Sequence, residues 1–269
     1  MEKQEPKLNS YGTCALCGKE CNLTFEHIPP KAAFNSRPLK VYNGDSLIET
    51  VTGSRKPWDL SGLKYNNQQR GMGYYSLCGD CNSYTGTFYG EAYKNVADSF
   101  AGALLKTGVK ANETLHCKIE MKPLAFIKQV LSMFCSINRD ISNLSEIKQF
   151  VLDKDKMGLP KNEFRLGMYL STGGLTRVVP HSTMLLEEDE KRVKSLNVTE
   201  ISSFPMGFVL FFGNSEGRLD DFLDITMFSE IPYEKSCVVE LDIPVYDINT
   251  MFPLDYRTKE EINISIQGK

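Results

Sequence analysis

The sequence predicts an α+β protein, with an N-terminal zinc-stabilised module, a helical linker and a mostly antiparallel β-rich domain. Three observations carry that expectation. Two Cys-x-x-Cys pairs, Cys14/Cys17 and Cys78/Cys81, stand with 60 residues between them. Apolar residues then recur at helical spacing, first Tyr89, Tyr93, Val96, Ala97, Phe100 and Leu104, then Leu124, Ile127, Leu131 and Phe134. From Phe164 onward, runs rich in β-branched and aromatic residues are bounded by Gly and Pro, the signature of strands. At 269 residues and 41% hydrophobic, the chain can bury a sizeable core. Two domains are expected, residues 1–110 and 120–269.

Residues 1–10 are polar and read as a frayed tail with no signal-peptide core. No run approaches the ~18 apolar residues of a membrane span. Eight cysteines in such a chain point to reduced, metal-binding thiols and a cytoplasmic protein. Two Cys-x-x-Cys turns supply the four thiolates that Zn²⁺ takes in a closed tetrahedral site, here Cys14, Cys17, Cys78 and Cys81. The competing readings are a disulfide framework, which fits poorly without a secretion signal, and four ordinary buried thiols. Cys21 is a spare thiol at a less typical spacing. Closing so long a loop costs roughly 3.5 kcal/mol plus a constant. Structural zinc returns about 10–16 kcal/mol, enough to hold an insert with little core of its own.

Leu23 to His27 alternates like a short strand, and Pro29 and Pro30 make a stiff exit from it. Residues 31–76 read as an irregular insert with short β-like pieces such as Ser46–Val51. Between 31 and 70 there are seven Lys/Arg against three Asp/Glu, whereas residues from 121 onward carry 17 basic and 22 acidic side chains. The whole chain has a net charge of −3, so no global cationic field draws it to nucleic acid. The local imbalance directs any polyanion to the N-terminal part, unless these charges are simply solvated loops. Trp58 has a core reading and a base-stacking reading.

A helix is expected after Cys81, stopping at Gly108. Pro123 opens a second one, and Asn143 with Glu146 marks a third through Leu152. Candidate strands are Phe164–Ser171, Leu175–Val179, Gly207–Phe212, Asp224–Phe228 and Cys237–Val245, with a charged helix or turn at Leu185–Ser195. His116, Cys117, Cys135, His181 and Cys237 are isolated, and structural roles suit them best.

The paired knuckles enclose Glu26-His27-Ile28-Pro29-Pro30, and Asn82 directly follows the last Cys. This arrangement resembles the HNH (ββα-metal) endonuclease family, over about residues 11–105. The family pattern is Cys-x-x-Cys, Asp/Glu-His-x-x-Pro, then Cys-x-x-Cys-His/Asn. The resemblance implies a zinc-stabilised ββα fold and hydrolysis of phosphodiester bonds. His27 would be the general base, and Glu26 and Asn82 would hold one catalytic Mg²⁺ or Mn²⁺. Lys31 and Arg70 are candidate phosphate clamps, and Lys56 and Lys64 further nucleic-acid contacts. The match departs at Gly73, where the family commonly has an Asn that helps to hold the catalytic His; Asn66, Asn67, Gln68, Gln69 and Arg70 are candidate substitutes.

The expected function is therefore a nuclease acting on nucleic acid, DNA ahead of RNA, whose C-terminal domain senses a signal ligand or partner protein. Family-level analogy adds phage defence or restriction as a setting. A homo-oligomer stays open. The alternative is a non-catalytic zinc module that binds nucleic acid, with Glu26 and His27 serving structure. A zinc deaminase is set aside, because neither knuckle is preceded by His-x-Glu in the required arrangement.

Overall fold

The structure, a computed structural model, describes residues 10–42, 44, 47, 56–138, 144–189, 192–213 and 219–267, the side chains of 186–194 and 267 aside. The expected strand at Ser46–Val51, Leu47 aside, and the Asn143 cap lie outside these residues. The protein is α+β, with five helices and a mixed seven-stranded sheet among the described residues.

The N-terminal part is built on β1 (Tyr11–Thr13), β2 (Glu20–His27) and β5 (Gly73–Cys78), in the order β1-β2-β5. Both pairings are antiparallel, and β5 bulges at Ser76, because Thr24 faces Leu77 while Phe25 faces Tyr75. The chain between β2 and β5 makes a separate ribbon of β3 (Leu39–Tyr42) and β4 (Tyr65–Gln68). The helix expected after Cys81 is two helices, α1 (Gly79–Phe88) and α2 (Gly90–Thr107), broken at Tyr89. Gly86 and Gly90 weaken helix on either side of the break. Tyr89 itself is buried, donating its hydroxyl to Val151 O at 2.6 Å. The expected stripe from Tyr93 to Leu104 is the buried face of α2, and Gly108 ends it in the left-handed conformation, φ 64°.

After β6 (Thr114–Met121), α3 (Pro123–Ile137) is buried on every side from Pro123 to Ser136. The expected apolar face at Leu124, Ile127, Leu131 and Phe134 is thus only part of a central helix. It packs against α2, β5, β8 and β9, and against α4 (Ser145–Leu152). Phe126 stacks on Tyr93 of α2 at 5.7 Å and meets Phe208 of the large sheet at 5.9 Å. One hydrophobic cluster accordingly runs from Cys14 and Leu16, through the helices, to Ile243 and Val245.

The large sheet orders as β6-β12-β7-β10-β9-β8, from β7 (Phe164–Gly174), β8 (Arg177–Asp189), β9 (Arg192–Ser203), β10 (Met206–Phe212) and β12 (Cys237–Ile248). The short β11 (Leu223–Asp224) adds to β7. Among the described residues, only β12 with β7 is a parallel pair. Two expectations are corrected here. Where a charged helix or turn is expected, Leu185–Ser195 forms the end of the β8–β9 hairpin, with Asp189 opposite Arg192. Asp224–Phe228 is a strand only at its first residue. Asp224 Oδ1 accepts from Thr226 N at 2.9 Å, and this local turn leads into a 3-10 helix at Thr226–Glu230. On the sheet face away from α3, Tyr169, Val198 and Phe211 form a second core, and α5 (Lys259–Gln267) closes the chain. No helix among the described residues is long and apolar enough to cross a membrane.

Candidate metal centre and catalytic site

The first knuckle is a tight turn. Cys14 N donates to Lys19 O at 2.9 Å, Gly18 N to Cys14 O at 3.0 Å, and Gly18 takes φ 73°. The second knuckle is the junction of β5 and α1, where the Cys78 thiol caps the helix by accepting from Cys81 N at 3.4 Å. Ala15 N donates to Ser76 O at 2.8 Å and fixes the two turns face to face. The four sulfurs consequently lie within 4.8 Å of one another. Cys17 and Cys78 Sγ are 3.8 Å apart, which is the ~3.8 Å edge of a tetrahedron with Zn–S bonds of about 2.3 Å. Hydrogen bonding from the Cys81 thiol pushes Cys14 down to about 4, and the same bond pushes Cys81 up. One thiol ionises readily and a divalent ion displaces the remaining protons. Donor set and spacing fit a closed structural zinc site. Cys21 lies outside it, with its thiol toward Lys19 O at 3.5 Å.

β2 leads from this centre to Glu26 and His27. Successive side chains of a strand leave on opposite faces. Glu26 shares its face with Thr24, and Asn82 of α1 donates its amide to Thr24 Oγ1 at 2.9 Å and to Phe25 O at 3.4 Å. Asn82 Oδ1 is the end left to act as a ligand. Glu26 is 7% exposed, and burial pushes its carboxyl up to about 7. A hard cation is the natural partner for such a carboxylate. Among the described residues, the four cysteines are the only cluster of three or more Cys, His, Asp or Glu at metal-binding distance. A catalytic Mg²⁺ or Mn²⁺ would therefore draw on Glu26, Asn82, waters and substrate oxygens.

His27 ends β2 on the other face, half-buried, with Phe25 edge-on to its ring at 5.0 Å. Its Nε2 bonds to Arg70 O at 2.9 Å. A carbonyl can only accept, so Nε2 carries the proton and Nδ1 keeps the lone pair. Burial first, with the charges of Lys31 and Arg70, holds the imidazole below its usual range against the bond to Arg70 O, which raises it, and so favours the neutral form. Gly73 sits opposite His27, and a Cβ there would stand 2.2 Å from Glu26 O and 2.7 Å from the Phe25 ring. No side chain fits, so the Asn of the family pattern is excluded by this close approach. Arg70 supplies the anchor to His27 through its carbonyl, while its side chain is exposed.

The loops that carry His27 and Arg70 are joined by a residue the sequence gives no sign of. Asn35 is buried and donates to Pro29 O at 2.6 Å and Met72 O at 2.7 Å, while its Oδ1 accepts from Met72 N at 2.7 Å. Gly71, at φ 88°, allows this contact, since a Cβ would meet Asn35 O at 2.3 Å. The adjacent Gly71-Met72-Gly73 run is the one hint of a tight backbone approach. Lys31 is exposed near His27, whereas Lys56 and Lys64 lie on the exposed 56–64 loop. Neither of those two bonds to Glu26, His27 or Asn82 among the described residues. Trp58 is half-buried, with the ammonium groups of Lys56 and Lys259 each 5.7 Å from its ring, so it is neither core nor free platform.

No family model, curated protein or solved structure matches the chain.

Proposed function

We propose that the protein is a metal-dependent endonuclease of HNH type, with a zinc-stabilised ββα module at its N-terminus. The observation that carries this reading is the state of His27. An imidazole with Nε2–H tied to Arg70 O presents an unprotonated Nδ1 at the end of β2, next in sequence to Glu26, and Asn82 of α1 is bonded to Thr24 of the same strand. In phosphodiester hydrolysis, Nδ1 takes a proton from the attacking water as its oxygen bonds to phosphorus. Glu26 and Asn82 would hold a divalent ion, which would supply charge stabilisation for the scissile phosphate as its bond to the leaving oxygen breaks. Lys31 and Arg70 orient the backbone phosphates. The Cys₄ zinc has no open position and fixes geometry only. The C-terminal sheet is the regulatory part, as in a cytoplasmic restriction or defence effector.

Glu26 favours a second reading. A carboxylate this buried serves equally as a structural residue of a non-catalytic zinc module that binds nucleic acid. Supercoiled plasmid incubated with the protein and Mg²⁺ or Mn²⁺ separates the two. The wild type should nick it and EDTA should stop the reaction. His27→Ala should slow nicking by about 10²–10⁴ at unchanged zinc content. A wild type that binds the plasmid yet cuts no faster than His27→Ala leaves the binding module.

A further inference from the structure

Behind β5 lies a cavity of about 530 Å³, well inside the roughly 300–1,000 Å³ of small-molecule sites. One wall belongs to the N-terminal region: Leu39 and Val41 of β3, Leu60, and Met72 and Tyr74 at the start of β5. The other comes from Leu175 to Pro180 at the start of β8 and from Met251 beyond β12. The void thus sits where the two halves of the chain meet. Interiors close-pack to native density wherever they can, and a pocket of this size with mostly apolar walls is suited to an apolar guest.

Its polar lining narrows the class of guest. Two basic side chains line it, Lys40 and Arg177, and neither makes an anion cradle. Lys40 lies over the Tyr65 ring at 4.3 Å. The Arg177 guanidinium gives its two terminal nitrogens to Glu200 at 2.6 Å and to the carbonyls of Thr250, Phe252 and Asp255, and among the described residues only its Nε has no partner. A nucleotide or other phosphate would find no matching set of donors here.

Two lining residues also belong to the framework of the candidate site. Met72 is the residue that Asn35 clamps, and its carbonyl accepts from Ile28 N at 3.0 Å. Tyr74 is the cross-strand partner of Glu26. A guest that presses on Met72 and Tyr74 acts two residues from the Arg70 carbonyl and on the strand beside His27.

We propose that this cavity binds a compact, uncharged, mainly apolar small molecule, and that its occupation is felt at His27. The binding claim stands apart from the nuclease reading; only control of cleavage rests on it. The neutral fluorophore N-phenyl-1-naphthylamine serves as the probe, titrated into the full-length zinc-loaded protein. It should bind saturably, one per chain. Leu175→Trp, which intrudes on the void, and Met251→Glu, which charges its wall, should each weaken binding at least tenfold. Leu185→Glu changes an apolar residue that is 73% exposed elsewhere and should leave binding unchanged. Circular dichroism and zinc content decide which variants are folded and are to be read. Non-saturating binding, equal affinity in a folded cavity variant, or the same loss in Leu185→Glu would overturn the site. In protein labelled at histidine Cε1, the probe should shift the His27 resonance and not that of exposed His116. Saturable binding without that shift would overturn the link to His27.

Discussion

Residues 10–88 and residues 114–248 both rest on antiparallel strands, but different forces hold them. The strands β1, β2 and β5 have 3, 8 and 6 residues, and with the turns beside them they bury few aliphatic side chains, among them Leu16, Leu23, Ile28 and Leu77. Four thiols at one point and the Asn35 clamp do the rest. The large sheet has strands of 11 to 13 residues in β7, β8, β9 and β12. Its buried rows, such as Phe164, Leu166, Met168 and Leu170, close on Phe208 and Leu210 and on the central helix α3. Burial of apolar area is plentiful but directionless; metal ligation and hydrogen bonds are few but fix angles. The candidate site is on the region held by directed bonds, where single groups set the position of His27.

Removing the metal should break that comparison most widely. With about 10–16 kcal/mol of binding free energy at stake, Cys78→Ser should release the zinc and strip hydrogen-exchange protection from residues 10–88, while β7, β10 and β12 keep theirs. Loss of protection spread evenly over both regions would show that the centre supports the whole chain.

Phe208→Ala attacks the other side. Phe208 is buried between Tyr93 and Phe126, at 6.1 and 5.9 Å. A cavity of this kind costs about 3–5 kcal/mol, so the melting temperature should fall while the protein keeps one zinc. Zinc loss in a folded Phe208→Ala protein would tie the two regions more closely than their bonding suggests.

Glu26→Gln sharpens the contrast through pH. The carboxyl keeps its proton up to about 7 in the fold and only to 4.5 when free. That contribution to stability is full below pH 4.5 and is lost as pH rises through 7, a difference of up to about 3 kcal/mol. Without added Mg²⁺ or Mn²⁺, Glu26→Gln should match the wild type near pH 4.5 and be the more stable protein at pH 8. Equal melting curves at both pH values would show that the carboxyl is not desolvated.

Asn35→Ala should have the smallest effect on stability, about 1–3 kcal/mol for the backbone groups left without partners. Its effect on His27 should exceed its effect on the fold. Without the Arg70 carbonyl, whose bond raises it, the imidazole should titrate still further below the free value of 6.5, as followed by its Cε1 proton. An unchanged titration in a destabilised protein would make Asn35 merely structural.

The four-cysteine cluster was legible because Cys-x-x-Cys spacing already sets where two thiolates can point. Helix α2 was legible from its stripe, since a 3.6-residue period puts Tyr93, Val96, Phe100 and Leu104 on one face whatever they meet. The charged run near Glu187 was not, because a solvated helix and a hairpin tip accept the same side chains. Strand β9 escaped notice as well, its first residues being read as part of that charged run, as did β3, β4, β6 and helix α5, which carry little period of their own.

By itself the sequence determined the α+β class, the four cysteines of the metal centre, the order of its main helices and most of its long strands. These follow from local spacing, which needs no partner. Only the tertiary structure decided that α3 is central, that the β12–β7 pair is parallel, and that Gly73 leaves no room for a side chain. It alone brought Asn35 to Met72 and the Arg70 carbonyl to His27, across 37 and 43 residues of chain. Such contacts depend on backbone groups that every residue carries, so no residue type announces them in advance.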